Sequence, residues 1–334
     1  MKKAIICAAA ALALVFCAQP LSDAYQALIN RKEEQPTAPA AASSPTFEEQ
    51  LGVKQESSMM DVTLYFRFGE TNLLGACSAQ LDMRREETVA SSIVQALLDG
   101  PDAAHDRLTG LFPQGTTLIG VASEGATAFV TLSEAFLGIP DGAPSDWEDS
   151  AAWQKEATLR RRMAFESIVL ALTENGRYQR VQLYIAGSDD DIPQRIPLYW
   201  LDQSATDTNV MLAPCARNEN AMLTPQKTLE QILDDWQAQD WNALYAFLLR
   251  EEETPTLNQF EADMRQTDVA LLSYELTSGT VGLSGETATV VLDAQIDAKD
   301  GGEARITRES VLLVRQDDNW CIKRSALESL MVRD

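Results

Sequence analysis

The chain has 334 residues and one histidine, His105, the only side chain whose ordinary pKa lies near neutrality. It follows Gly100-Pro101-Asp102-Ala103-Ala104 in a loop. No Ser, Cys or acidic residue stands at a spacing that would make it a general base, so it reads as a surface histidine. Asp189-Asp190-Asp191 offers three carboxylates to a hard cation. Side chains of consecutive residues diverge, however, and no metal is assigned. Of the five cysteines, Cys7 and Cys17 lie near the N-terminus, while Cys77, Cys215 and Cys321 are scattered without metal-ligand spacing. At least one of these three is expected as a free buried thiol, and a Cys77–Cys215 bridge stays open. Tyr245, Tyr274 and Trp320 are expected to fill a core rather than line a pocket. The sequence carries no Gly-x-Ser-x-Gly, phosphate loop or dinucleotide fingerprint. Neither an enzyme nor a cofactor is expected.

What these residues hang on is an acidic, globular chain. Hydrophobic residues make up 45% and charged residues 23%, with a net charge of −23. That charge disfavours nucleic acid and anionic lipid as ligands. It is spread evenly: residues 61–215 hold 22 acidic and 11 basic residues, and residues 224–334 hold 21 and 10. Even spread indicates a solvated surface without an acidic arm.

The N-terminus reads as an address. Met1-Lys2-Lys3 precedes an apolar run from Ala4 to Phe16, the length of a signal-peptide core. Leu14-Val15-Phe16-Cys17 resembles the lipobox of bacterial lipoproteins, which implies lipidation of Cys17 and a membrane anchor. It departs from the pattern at Phe16, where Gly, Ala or Ser is usual. Cleavage after Ala24 and retention as an uncleaved anchor are the alternatives, and all three place the rest of the chain outside the cytoplasm. Residues 1–24 are therefore expected as signal and 25–60, rich in Pro, Ala and Ser, as a disordered linker.

Residues 61–215 are expected to form a first domain. Val62, Leu64, Phe66 and Phe68 alternate as a half-buried strand, and a second strand runs near Leu74–Met83. A helix over residues 86–99 buries Val89, Ile93 and Leu97, starts with Glu86 and Glu87 in its first turn, and stops at Gly100-Pro101. Ile119 and Val121, then Ala128, Val130 and Leu132, alternate on either side of a turn at 123–126, a β-hairpin. A second helix covers Trp153–Glu174, and Val181, Leu183 and Ile185 close the domain as a strand. The Leu97-Leu98-Asp99-Gly100-Pro101 run, the Pro113-x-Gly115-Thr116 hairpin and the Val181-x-Leu183-x-Ile185-x-Gly187 strand together resemble the GerMN domain of sporulation and spore-germination lipoproteins. The resemblance implies an α+β sandwich, a mixed sheet with two helices on one face, and a non-catalytic scaffold. The acidic, Trp-containing stretch Asp141–Trp153 is an insertion relative to that pattern.

Residues 222–334 are expected to form a second domain. Thr224-Pro225 and Asp240 start helices, a third helix runs from Thr256 to Thr267, and four strands follow: Leu272–Val281, Thr287–Ala298, Ala304–Gln316 and Trp320–Ala326. This order resembles an NTF2-like (cystatin-like) cone of helices and curved antiparallel sheet.

The function expected from these resemblances is that of an exported, membrane-tethered, non-catalytic protein. It would work through contacts with itself or other sporulation-complex proteins. The alternative is an extracytoplasmic binder of a small molecule or cell-wall fragment inside the cone. The candidate docking face joins Glu86, Glu87, Gln95 and Asp99 on the first helix with Arg160, Arg161 and Glu174 on the second, each helix being expected to bury only one side.

Overall fold

The structure, a computed structural model, describes residues 58–83, 88–187, 191–267, 269–298 and 302–331. In the first half, β1 (Ser58–Phe68) pairs antiparallel with β2 (Leu74–Met83), Leu64 opposite Cys77. The short β3 (Leu108–Thr109) closes the other side of β1. The expected alternation holds, with Val62, Leu64, Phe66 and Phe68 all buried, but Tyr65 and Arg67 are buried too.

Helix α1 (Val89–Asp99) is capped by Thr88, whose hydroxyl accepts from the Ser91 amide at 3.1 Å. It therefore starts after Glu86 and Glu87, which lie outside the described residues, and its first turn carries no acid. It ends at Gly100, whose φ of 87° ahead of Pro101 suits glycine.

The hairpin joins β4 (Leu118–Glu124) to β5 (Thr127–Ser133) across Gly125, at φ 57°. Parallel to β5 lies β6 (Arg180–Ala186), Val130 opposite Leu183, and the two-residue strands β7 (Gln194–Arg195) and β8 (Cys215–Ala216) pair antiparallel with β6. A parallel pair needs a crossover, and α2 (Ala151–Asn175) supplies it.

The α+β class stands, with one layer more than the sequence suggested. Two separate sheets are present, β2-β1-β3 and the mixed sheet built on β4-β5-β6, and both helices lie between them, touching both. The one-sided burial expected of α2 is therefore overturned: Met163, Ala164 and Phe165, then Ser167 through Leu172, are all buried. A helix covered all round shows no apolar stripe and hence no amphipathic signal.

In the second half, α3 (Pro225–Ala238) is capped by Thr224 and α4 (Trp241–Tyr245) by Asp240, as the sequence indicates. Then come α5 (Leu257–Thr267) and an antiparallel sheet in the order β12-β11-β10-β9, formed by β9 (Ala270–Val281), β10 (Thr287–Ala298), β11 (Gly302–Gln316) and β12 (Asn319–Ile322). Register shifts along both sides of β10 add residues that curl the sheet. The last strand stops at Ile322, and Arg324–Met331 is a helix, α6, where the sequence reading continued the strand to Ala326. Residues 56–334 make one compact unit. Residues 214–224, where the two expected domains meet, carry β8 and bury Ala221 and Leu223.

Candidate docking surface and the seam between the halves

The three consecutive arginines of α2 have three different fates. Arg160 donates to Glu156 at 2.7 Å and to the Asp141 carbonyl at 2.8 Å. Glu156 also accepts from the buried Arg67 at 2.7 Å. Burial pushes the Glu156 carboxyl up, but hydrogen bonds from Arg160 and Arg67 outweigh it and hold it below the usual range. Arg161, expected on an exposed face, is instead only 4% exposed. It shares a helical stripe with Ala157, Ala164 and Ile168, all buried. Its guanidinium lies 4.8 Å from the Trp200 ring centre and 5.6 Å from that of Trp147, and donates to the Leu137 and Gly138 carbonyls. The acidic insertion thus brings Trp147 over Arg161. The expected docking role for Arg161 has no accessible side chain to rest on. Arg162 alone of the three is exposed and forms no hydrogen bond or ion pair among the described residues.

The rest of the expected face divides similarly. Gln95 and Asp99 bond one another on the surface of α1, and Glu174 pairs with Arg217. Cys17, Glu86, Glu87, Asp189 and Asp190 lie outside the described residues. His105, read as a surface residue, is half-buried with its Nδ1 enclosed and unpartnered. Cys77, Cys215 and Cys321 are free thiols, so Cys77 and Cys215 are not bridged; burial pushes the Cys77 thiol up to about 11. Tyr245 packs on Phe260 and donates to the Pro255 carbonyl at 2.7 Å. Leu229, Ile232, Leu233 and Trp236 of α3 are buried where this helix packs on the curled sheet.

A contact region that the sequence did not announce joins the two halves. At the β11–β12 turn, Asp317 and Asp318 both have positive φ, 50° and 64°, the geometry of a tight hairpin turn. The residues that follow reach the outer edge of β2. Asn319 accepts from the Ala76 amide at 3.0 Å and donates to the Ala76 carbonyl at 2.9 Å, and Asp318 accepts from the Ser78 amide at 2.7 Å. A side-chain amide here does what a neighbouring strand would do, so the edge is not left open. Gly75 makes room for it: a Cβ there would stand 2.5 Å from Asn319 Oδ1 and 2.8 Å from Leu108 Cδ2.

Arg107, 8% exposed, crosses in the other direction, donating to the Leu248 carbonyl at 2.8 Å and approaching Cys321 Sγ at 2.9 Å. Phe68 packs against Phe247 with ring centres 5.0 Å apart. At the surface Arg250 pairs with Asp106.

The described residues also form concave sites, two of which are roomy. One, about 850 Å³, opens at the carboxyl ends of β5 and β6 beside Glu134, Ile185 and Arg195. The other, about 360 Å³, runs between α2 and residues 198–218. Among the described residues no group of His, Cys, Asp and Glu is arranged to hold a metal, and no helix is long and apolar enough to cross a membrane.

Residues 63–191 match the Germane family, described as sporulation and spore germination. The match lies within the first half of the chain and includes β1, β2, both helices and the β4–β6 strands. Among solved structures, the tandem GerMN domains of the sporulation protein GerM from Bacillus subtilis are 14% identical, with a TM-score of 0.32, over 52% of this chain and 50% of that one. This chain thus spans about half the length of the tandem structure. The first GerMN domain of the same protein is 16% identical over 48% of this chain and 96% of that one, with a TM-score of 0.26. A putative lipoprotein from Clostridium perfringens is 15% identical over 48% and 90%, with a TM-score of 0.25. No curated protein gives a significant sequence match.

Proposed function

We propose that this is a non-catalytic, exported and membrane-tethered protein that serves sporulation or spore germination through protein–protein contacts. The observation that carries the reading is the Germane match over residues 63–191. Two features support it. The groups most suited to chemistry have structural work: Arg161 is held between Trp147 and Trp200, and Arg107 and Cys321 sit in the seam. Further, the first two turns of α2 and the insertion beside them remain largely exposed, with Asp141, Asp146, Glu148, Asp149 and Lys155 outward. An acidic knob of this kind suits a basic partner through salt-sensitive contacts. The tether rests on Cys17 and the linker after it, and the second half is proposed to be an NTF2-like module.

The test is capture of partners from sporulating cells of the source bacterium, using the full chain as bait. Recovery of sporulation-complex or wall-synthesis proteins, reduced when Glu148 and Asp149 are replaced by Lys, is the expected result; recovery of none from cells that produce the bait contradicts it. Cys17→Ser is expected to release the protein or leave an unprocessed precursor, whereas unchanged processing and location would mean that Cys17 carries no lipid.

A further inference from the structure

The cleft between α2 and residues 198–218 is a different kind of surface from the acidic knob. Its walls are apolar: Phe165 and Val169 from α2, Leu198 and Leu201 from the turn opposite, and Leu212 at the end. Its volume, about 360 Å³, falls in the range of ligand sites. Two ionisable groups one helical turn apart stand at its lip. Arg162 is exposed and without a hydrogen-bonding partner among the described residues, although Glu166 and Asp202 act on it through space. Glu166 is half-buried, its one hydrogen bond coming from Asn218 Nδ2 at 3.2 Å, which leaves acceptor capacity unused. Burial pushes the Glu166 carboxyl up, with the Asn218 bond and Arg162 opposing. Asp202, across the mouth, is occupied by Ser204. Cys215 at the back is a free thiol pushed up by burial and by Glu166, so it adds a neutral wall and no nucleophile.

Arg162 shares its exposed, unbonded state with Arg177, Arg180 and Arg305; what sets it apart is its place at the lip of an apolar cleft, where Glu166 and Asp202 already act on its charge. Side chains at i and i+4 on a helix stand about 6 Å apart at Cβ and face the same way. A carboxylate on Arg162 and an N–H donor on Glu166, with an apolar group between them and the leucine floor, make up the outline of the last residue of a polypeptide.

We propose that this cleft binds the free C-terminal carboxylate of a partner protein whose last residue is aliphatic. The carboxylate lies on Arg162, the last peptide N–H on Glu166, and the side chain on Leu198, Leu201 and Leu212. The proposal rests on the protein-contact reading above and supplies a chemical class for one partner.

The test uses the full chain and a five-residue peptide ending in leucine, with its free acid, its C-terminal amide and free leucine compared by calorimetry and by amide shifts in α2. The free acid is expected to bind and to shift residues 162–169, the amide at least ten-fold more weakly. Arg162→Gln is expected to bring the same ten-fold loss with an unchanged melting temperature, and Arg162→Lys to recover part of it. Equal binding of acid and amide, no binding of any peptide, or indifference to Arg162→Gln overturns the proposal. Free leucine binding as tightly as the peptide also overturns it, by making the site one for an amino acid. The two readings fail separately: partners captured from cells equally well by wild type and by Arg162→Gln remove the cleft from the account but leave the protein-contact reading standing, while no captured partner defeats that reading.

Discussion

The interior around α2 and the seam between the halves are both buried, but they are made of different material. Around α2 the contacts are apolar and continuous: Met163, Ile168, Leu170 and Leu172 lie at 0% exposure between two sheets. Such a layer is specified by volume and tolerates exchange of one aliphatic group for another. The seam adds polar, discrete contacts to the packing of Phe68 on Phe247. Asn319, Asp318 and Arg107 each satisfy particular backbone or side-chain atoms of the opposite half, and Gly75 is cut to fit one of them. Hydrophobic layers set that a fold forms; polar contacts of this kind set where one half stops relative to the other. A buried polar group left without its partner costs more than the bond itself contributes, so such a seam is intolerant of small changes.

The sharpest way to break the comparison is Gly75→Val. The new side chain must displace Asn319 and Leu108, and a loss of about 3 kcal/mol is expected from overpacking together with the lost amide bonds. In chemical denaturation the single transition is expected to split in two. A volume-conserving change in the layer, Leu170→Met, is expected to cost less than about 1.5 kcal/mol and to leave one transition.

Arg107→Ala is the next largest. It strands the Leu248 carbonyl in a buried place, while Gln316 keeps its bonds to the Arg250 backbone; the expected loss is about 2 kcal/mol by the midpoint of urea unfolding. A midpoint within error of wild type would show that the guanidinium contributes nothing to the seam.

Asp235 sharpens the comparison from within the second half. It is 6% exposed, near the C-terminal end of α3, with Oδ1 accepting from Gln231 and Oδ2 unpartnered. Burial pushes its carboxyl up to about 6, Asp240 and Asp234 add to this, and the Gln231 bond opposes. The unfolded value is about 3.9. Because the folded state holds this proton more tightly, Asp235 favours folding below about pH 4, and that advantage is lost as pH rises through about 6. Asp235→Asn is therefore expected to raise stability at pH 8 by on the order of 2 kcal/mol relative to wild type, with the difference shrinking toward pH 4. Melting curves across that range check it; a pH-independent difference contradicts the assignment. If the seam holds, the gain is shared by probes in the first half.

The smallest effect is at the turn. Asp317 at φ 50° sits in a region glycine occupies without cost, and Asp317→Gly is expected to stabilise by about 0.5 kcal/mol while keeping both Asn319 bonds. Destabilisation would mean that the Asp317 side chain itself takes part in the contact.

Much of the scaffold was legible because it is local. Helix starts follow from Thr224-Pro225 and Asp240, the stop of α1 from Gly100-Pro101, and the hairpin from Gly125 between alternating runs. Burial on a second side was not legible at α2, since nothing in a helical stripe says that another sheet covers the rest. The run after Trp320 was read as strand throughout because Cys321 and Ile322 suit a strand and no strong stop precedes the α6 helix. Arg161 was misplaced for a related reason: three adjacent arginines look alike until Trp147 and Trp200, from two separate loops, settle over the middle one. The seam had no signal at all. Asn319 and Ala76 are 243 residues apart, and an Asp-Asp-Asn turn looks the same whether it faces water or a strand edge.

Whether the seam makes the N-terminal and C-terminal halves one body is most directly read by hydrogen exchange of the full chain in low denaturant, in wild type and in Asn319→Ala. The expected result is that β1–β2 and β10–β12 in wild type open with a common free energy, while Asn319→Ala separates them and frees the Ala76 and Ser78 amides first. Two distinct opening free energies already present in wild type, unmoved by Asn319→Ala, would contradict it.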